Sequence, residues 1–225
     1  MPSEPKLIPV TVPRRPVAVA LVLHGGASRA DSPMVSPTQL SVLRMIPIAR
    51  RIARLGADRL AVFRLLNSTR GWDARHTPAD DARWALDRAA EQLGERLPTC
   101  LVGHSLGGRA ALLCAGEAEV RSVAALAPWL EASDMPDVPP GGQILIIHGS
   151  RDRIASPGRS AALARRLSGH ARVSYISVEG GKHAMLRRHR VFDRLAAEFA
   201  VATLLDQPTS DTIARVLAGE GWIEV

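Results

Sequence analysis

The chain has 225 residues, of which 46% are hydrophobic and only 4% aromatic. That length and apolar content exclude global disorder and suit one large α/β domain with a core of Leu, Ala, Val and Ile. The formal net charge is +7, from 29 basic and 22 acidic residues, and lysine occurs only at Lys6 and Lys182. The arginines are scattered rather than clustered, so the charge reads as composition rather than as a nucleic-acid footprint.

Residues 1–16 carry five prolines, and "KLIPVTV" within them reads as an edge strand, where missing amide donors are tolerated. "PVAVALVLHGG" (16–26) is a Val-rich apolar run ending on glycines, the pattern of a strand buried on both faces in a parallel sheet. "SPTQLSVLRMIPIARRIARLG" (36–56) has helical spacing, with Pro47 predicting a kink or a fresh start. "DRLAVFRLL" (58–66) reads as a strand and "NSTRGWDARH" (67–76) as a polar loop. Thr77 as N-cap, Pro78 at the first helical position and Asp80 near the positive end of the dipole announce a helix to about Gly94.

"PTCLVGH" (98–104), "EVRSVAALAPWL" (119–130), "GGQILIIHGS" (141–150) and "ARVSYISVE" (171–179) read as further strands. Helices are expected after Leu106, over 158–169, from Met185 to about Leu205, and over 209–221, where a short capped helix closes the chain. Strands alternating with helices predict an α/β fold: a doubly wound, mostly parallel sheet flanked by helices, in a single domain spanning 1–225.

Two cysteines, Cys100 and Cys114, lie in apolar patterns and read as small buried hydrophobes rather than as a disulfide framework. No CxxC, HExxH or GxxxxGK[ST] pattern occurs, so no metal site and no cofactor is expected. The N-terminus lacks a charged segment followed by an apolar one, and no run approaches the roughly 18 apolar residues of a membrane span. A cytoplasmic protein that neither spans a membrane nor binds nucleic acid is the expectation, as a monomer or a homodimer.

Ligands of such sheets bind beyond the carboxyl ends of the strands. The chemically capable residues fall there: His24, Gly25 and Gly26 after one strand, Ser105 after a later one, then Asp152 and His183. Gly103-His104-Ser105-Leu106-Gly107 matches G-x-S-x-G, a sharp strand-to-helix turn that lifts a serine hydroxyl clear of the sheet. A serine needs an adjacent base, a histidine can take and return that proton, and a carboxylate fixes the imidazole tautomer. The tetrahedral oxyanion needs backbone donors, for which the amides of Leu106 and Gly26 are the candidates, with Ala27 a near alternative.

With "HGG" (24–26), "GHSLGG" (103–108), "HGSRD" (148–152) and "GGKH" (180–183) in this order, the sequence resembles the α/β-hydrolases from about residue 17 to 205. The resemblance implies Ser105 as nucleophile, Asp152 as acid, His183 as base, and Leu106 and Gly26 as oxyanion donors. Asp134 and Asp137 are the rival acids. His104 and His148 read as loop-packing residues, and His76, His170 and His189 as surface residues. Only "EASDMPDVPP" separates the strand ending "LAPWL" from the glycines of the next, too short for a cap domain. An open site is expected, as in small members resembling dienelactone hydrolases, carboxylesterases and acyl-protein thioesterases.

Trp72, Trp129 and Ala27 are expected to line the pocket, and "RRHR" (187–190) raises the question whether Arg187 and Arg188 receive an anionic group. The reading is a serine hydrolase acting on a small-molecule ester or thioester through an acyl-enzyme. An acyltransferase with the same triad, and a non-catalytic binding protein on this fold, are the alternatives.

Overall fold

A computed structural model describes residues 4–26, 35–207 and 210–225. Its described strands form one eight-stranded sheet. In chain order the elements are β1 (Lys6–Thr11), β2 (Ala18–Leu23), α1 (Leu40–Leu43), α2 (Met45–Gly56), β3 (Leu60–Leu66), α3 (Thr77–Leu93), β4 (Thr99–His104) and α4 (Leu106–Leu113). They continue with β5 (Val120–Leu126), β6 (Gln143–Gly149), α5 (Pro157–Leu167), β7 (Arg172–Val178), α6 (His189–Leu205), α7 (Asp211–Leu217) and β8 (Trp222–Glu224). The spatial order is β1-β3-β2-β4-β5-β6-β7-β8. β1 runs antiparallel to β3 at one edge, and every other pairing is parallel.

The apolar runs become the central strands because both of their faces are covered. In β2, Ala18, Ala20 and Val22 pack with α2 and α6, while Val19, Leu21 and Leu23 pack with α3 and α4 on the opposite face. Burying a Leu or Val this fully stabilises the fold by roughly 1.5–3 kcal/mol each. The chain leaves β2 for β3 on one side and returns to β4 on the other, which opens the switch-point crevice above the ends of β2 and β4.

Several boundaries differ from the sequence reading, the larger ones for local reasons. The helix over 36–56 is two helices, broken at Arg44, so that Pro47 lies in the first turn of α2, where no amide is missed. α3 begins at Thr77 rather than after it. The N-cap position falls on His76, which is left-handed, and Asp73 accepts from the Thr77 amide at 2.9 Å and from its hydroxyl at 2.6 Å. β5 stops at Leu126, because Ala127 is left-handed (φ 42°), and α6 starts at His189 rather than Met185, which is also left-handed (φ 57°). The chain closes not on a helix but on β8, whose Trp222 stacks on Tyr175 with ring centroids 4.3 Å apart.

β5 and β6 are joined by 127–142, which contains no helix and no strand. No cap domain rises over the sheet there. Among the described residues no helix is long and apolar enough to cross a membrane.

Candidate active site

The turn after β4 is built on glycines at which a side chain has no room. A Cβ at Gly103 would lie 2.1 Å from the Gly107 carbonyl oxygen, and one at Gly107 would lie 2.5 Å from the His24 carbonyl oxygen. These contacts let β4 pass directly into α4 beneath β2. Ser105, between them, takes φ 55° and ψ −117°, a conformation that costs a non-glycine residue about 1–3 kcal/mol. The turn is held by the Ser105 amide donating to Leu126 O at 3.0 Å and by the Ser105 carbonyl accepting from Trp129 N at 3.1 Å.

Three strand ends then converge. The Ser105 hydroxyl lies 2.9 Å from His183 Nε2, and His183 Nδ1 lies 2.8 Å from Asp152 Oδ2. An ionised Asp152 fixes the tautomer: Nδ1–H donates to the carboxylate and Nε2 accepts the serine proton. The other carboxylate oxygen, Oδ1, accepts from the amides of Ile154 (2.8 Å) and Ala155 (3.0 Å). Burial works against the charge of Asp152. Hydrogen bonds from His148, His183 and the Ile154 amide outweigh it and hold the carboxyl well below its ordinary 3.8. Its contribution to stability is therefore full above that ordinary value and is lost only as acid titrates the folded form.

His148, read from the sequence as loop packing, is a second histidine on the same carboxylate. It is fully buried, with Nε2 3.1 Å from Asp152 Oδ2 and Nδ1 2.9 Å from the Ser160 hydroxyl. Its spacing of four residues from Asp152 was visible, but nothing in the sequence said that the turn would fold His148 back onto the acid.

His104 also does more than fill a loop. Its Nε2–H donates to the His183 carbonyl at 2.9 Å. Burial, reinforced by the neighbouring His183 ring, pushes its pKa down to about 3, so it stays neutral at ordinary pH. His24 donates from Nδ1 to Gly25 O (2.6 Å) and accepts at Nε2 from Asn67 N (3.1 Å), which ties the HGG segment to the end of β3.

Gly25 and Gly26 lie against the turn. A Cβ on Gly25 would sit 3.1 Å from Ser105 Cβ, and one on Gly26 would sit 2.0 Å from Arg70 O and 3.1 Å from Leu106 Cδ1. The backbone at Gly26 and Leu106 thus flanks the serine. Ala27 lies outside the described residues. Beside Ser105 opens a cavity of about 590 Å³, lined by Gly25, Gly26 and His183 together with Leu40, Leu43 and Leu186.

Trp72 and Trp129 do not line this cavity. They flank Arg109, whose guanidinium carbon is 4.2 Å from the Trp72 ring centre and 5.6 Å from that of Trp129. Arg109, only 2% exposed, also pairs with Asp134 (2.8 Å) and Glu131 (3.0 Å). The rival acid Asp134 is therefore committed to this pair, and Asp137 lies against Gly116. Arg109→Ala is expected to destabilise the fold by about 3–5 kcal/mol, because it leaves the Asp134 charge buried and unpaired. The urea midpoint reads this directly.

Arg187 and Arg188 line no cavity beside His183. Arg188 instead donates from Nε to the Glu179 carbonyl at 3.0 Å. His189, read as a surface residue, is exposed but borders the apolar cavity. Cys100 and Cys114 are free and buried, and burial pushes both thiols up to about 12. Among the described residues no group of His, Cys, Asp or Glu is arranged to hold a metal ion.

No protein-family model matches the sequence, and no curated protein is significantly similar to it. Solved structures do match. XC6422 from Xanthomonas campestris, an α/β serine hydrolase without a lid, is 22% identical, with a TM-score of 0.67 over 91% of this chain and 90% of that one. Dienelactone hydrolase from Anabaena variabilis is 18% identical, with a TM-score of 0.66 over 91% of this chain and 100% of that one. Est1E from Butyrivibrio proteoclasticus is 14% identical, with a TM-score of 0.62 over 88% of this chain and 93% of that one. The fold is that of the α/β-hydrolases.

Proposed function

We propose that the protein is a serine hydrolase that cleaves a carboxylic ester or thioester through an acyl-enzyme. The observation that carries this reading is the unbroken hydrogen-bonded series from Ser105 Oγ through His183 to Asp152, assembled at the ends of three strands. Its resemblance in fold to esterases supports the same chemistry.

In this reading Ser105 Oγ attacks the acyl carbon as His183 Nε2 takes its proton. The oxyanion is received by the amides of Leu106, at the start of α4, and of Gly26. His183 returns the proton to the leaving atom, the bond to it breaks, and a water activated by the same imidazole releases the acid. Asp152 does not change its protonation; it orients the imidazole and stabilises the imidazolium. His148 and the two amides keep that carboxylate ionised and still.

The test is intact mass after treatment with a fluorophosphonate. One adduct on the wild type and none on Ser105→Ala is the expected result. No adduct on folded wild-type protein would overturn the reading.

A further inference from the structure

Two cavities meet at His183 and differ in chemistry. The one beside Ser105, about 590 Å³, is walled by Leu40, Leu43, Pro47 and Leu186, with Arg44 and Asp193, ion-paired to each other, also on its lining. The other, about 650 Å³, is lined by Arg151, Arg153, Ile154 and Lys182. Among the described residues, His183 and Ala184 are common to both. Arg151, Arg153 and Lys182 are all exposed in the second cavity.

The acids nearby do not cancel these cations. Asp152 borders the groove, but its side chain is fully buried and both of its oxygens are occupied, Oδ2 by two histidines and Oδ1 by two amides. Glu179 approaches Arg151 only to 3.9 Å, with both side chains mostly exposed. Among the described residues no carboxylate pairs with Arg153 or Lys182. Three cations around one groove suit a phosphate, whose oxygens accept several charge-assisted hydrogen bonds at once.

The reaction's geometry assigns the two ends of the substrate. The acyl carbon must sit at Ser105 Oγ, beside the apolar cavity. The leaving atom must face His183 Nε2, which protonates it, and the basic groove is the second cavity that His183 lines. We propose that the substrate is an ester or thioester joining an apolar acyl group to a phosphate-bearing alcohol or thiol. This rests on the hydrolase reading above. In the first step the carbonyl carbon gains a bond to Ser105 Oγ and loses its bond to the leaving oxygen or sulfur. The electron pair departs on that atom, which takes the proton from His183. Water then completes the exchange, giving the free acid and the phosphorylated alcohol or thiol.

The experiment compares two matched pairs. One is octanoyl-coenzyme A against the octanoyl thioester of N-acetylcysteamine, which keeps the thioester and lacks the phosphates. The other is 1-octanoylglycerol 3-phosphate against 1-octanoylglycerol. The phosphorylated member of at least one pair is expected to have a kcat/KM about 10-fold or more above its neutral twin. Which pair shows the preference identifies the source of the phosphate, a nucleotide-bearing thiol or a lipid headgroup. The preference should shrink between about 0.05 M and about 0.5 M salt.

In the triple variant Arg151→Gln, Arg153→Gln, Lys182→Gln the ratio should fall toward about 1, through KM. These side chains are exposed, so near-UV circular dichroism should confirm an intact fold. Equal rates within both pairs for the wild type, or a preference that survives in the variant, would overturn the proposal. Calorimetric binding of the same four compounds to Ser105→Ala protein reads the groove without turnover. A binding preference for phosphate with no hydrolysis by wild type would reject the hydrolase reading, and the substrate with it, while leaving the phosphate-binding groove standing. Hydrolysis without any preference would reject this proposal alone.

Discussion

Ester turnover by Ser105→Ala protein is expected to fall by roughly 10⁴–10⁶ in kcat, and by roughly 10⁴ for Asp152→Asn, with the double variant little worse than the first. The asparagine argument is specific to this site. Oδ1 of Asp152 faces two backbone amides that can only donate, and Oδ2 faces His148 and His183. An asparagine must therefore aim its carbonyl at the amides and its NH₂ at the histidines. His183 then has to accept at Nδ1, which puts its proton on Nε2, facing Ser105. The base becomes a donor and cannot take the serine proton. Steady-state kinetics on a p-nitrophenyl ester reads both losses. An Asp152→Asn protein within about tenfold of wild type would remove Asp152 from the triad.

Gly107→Ala should cost more than about 4 kcal/mol and leave little soluble protein. The added carbon would lie 2.5 Å from His24 O and 2.6 Å from Leu23 O. Both are backbone atoms at the end of a central strand, so neither can rotate away as a side chain would. Gly108→Ala supplies the control. Its Cβ would meet Gly103 O and Pro128 Cβ at 3.1 Å, a crowding that small shifts relieve, and a cost of about 1–3 kcal/mol is expected. Expression yield and urea midpoints compare the two. If both variants fold equally well, the clearance at Gly107 is not what sets the turn.

The strands were legible because a strand covered on both faces must be a continuous apolar run, and β2, β4 and β6 are such runs. The candidate triad was legible because each member falls within five residues of a strand's carboxyl end. What escaped the sequence depends on contacts between distant segments. β8 is three residues long and exists by pairing with β7. Trp72 and Trp129 lie next to strand ends, which suggested the pocket, yet Arg109 on α4 draws both rings to itself. The residues after Leu126 stay apolar through Leu130, so composition alone could not show the left-handed turn at Ala127. His148 is separated from Asp152 by a turn whose course only the folded chain defines. The anion question was asked of Arg187 and Arg188, while the cations that share a cavity with His183 come from two loops, after β6 and after β7.

The backbone at Ser105 (φ 55°, ψ −117°) also bears on how such a gene would age. Glycine adopts that conformation without the penalty a serine carries. Under the proposed mechanism, pressure to fold and pressure to react pull the codon at 105 in opposite directions. A duplicate copy freed from its reaction but still required to fold would drift to glycine at 105 while keeping Gly103, Gly107 and the apolar strands. Glycine there, in an otherwise intact copy, would mark a scaffold that outlived its chemistry.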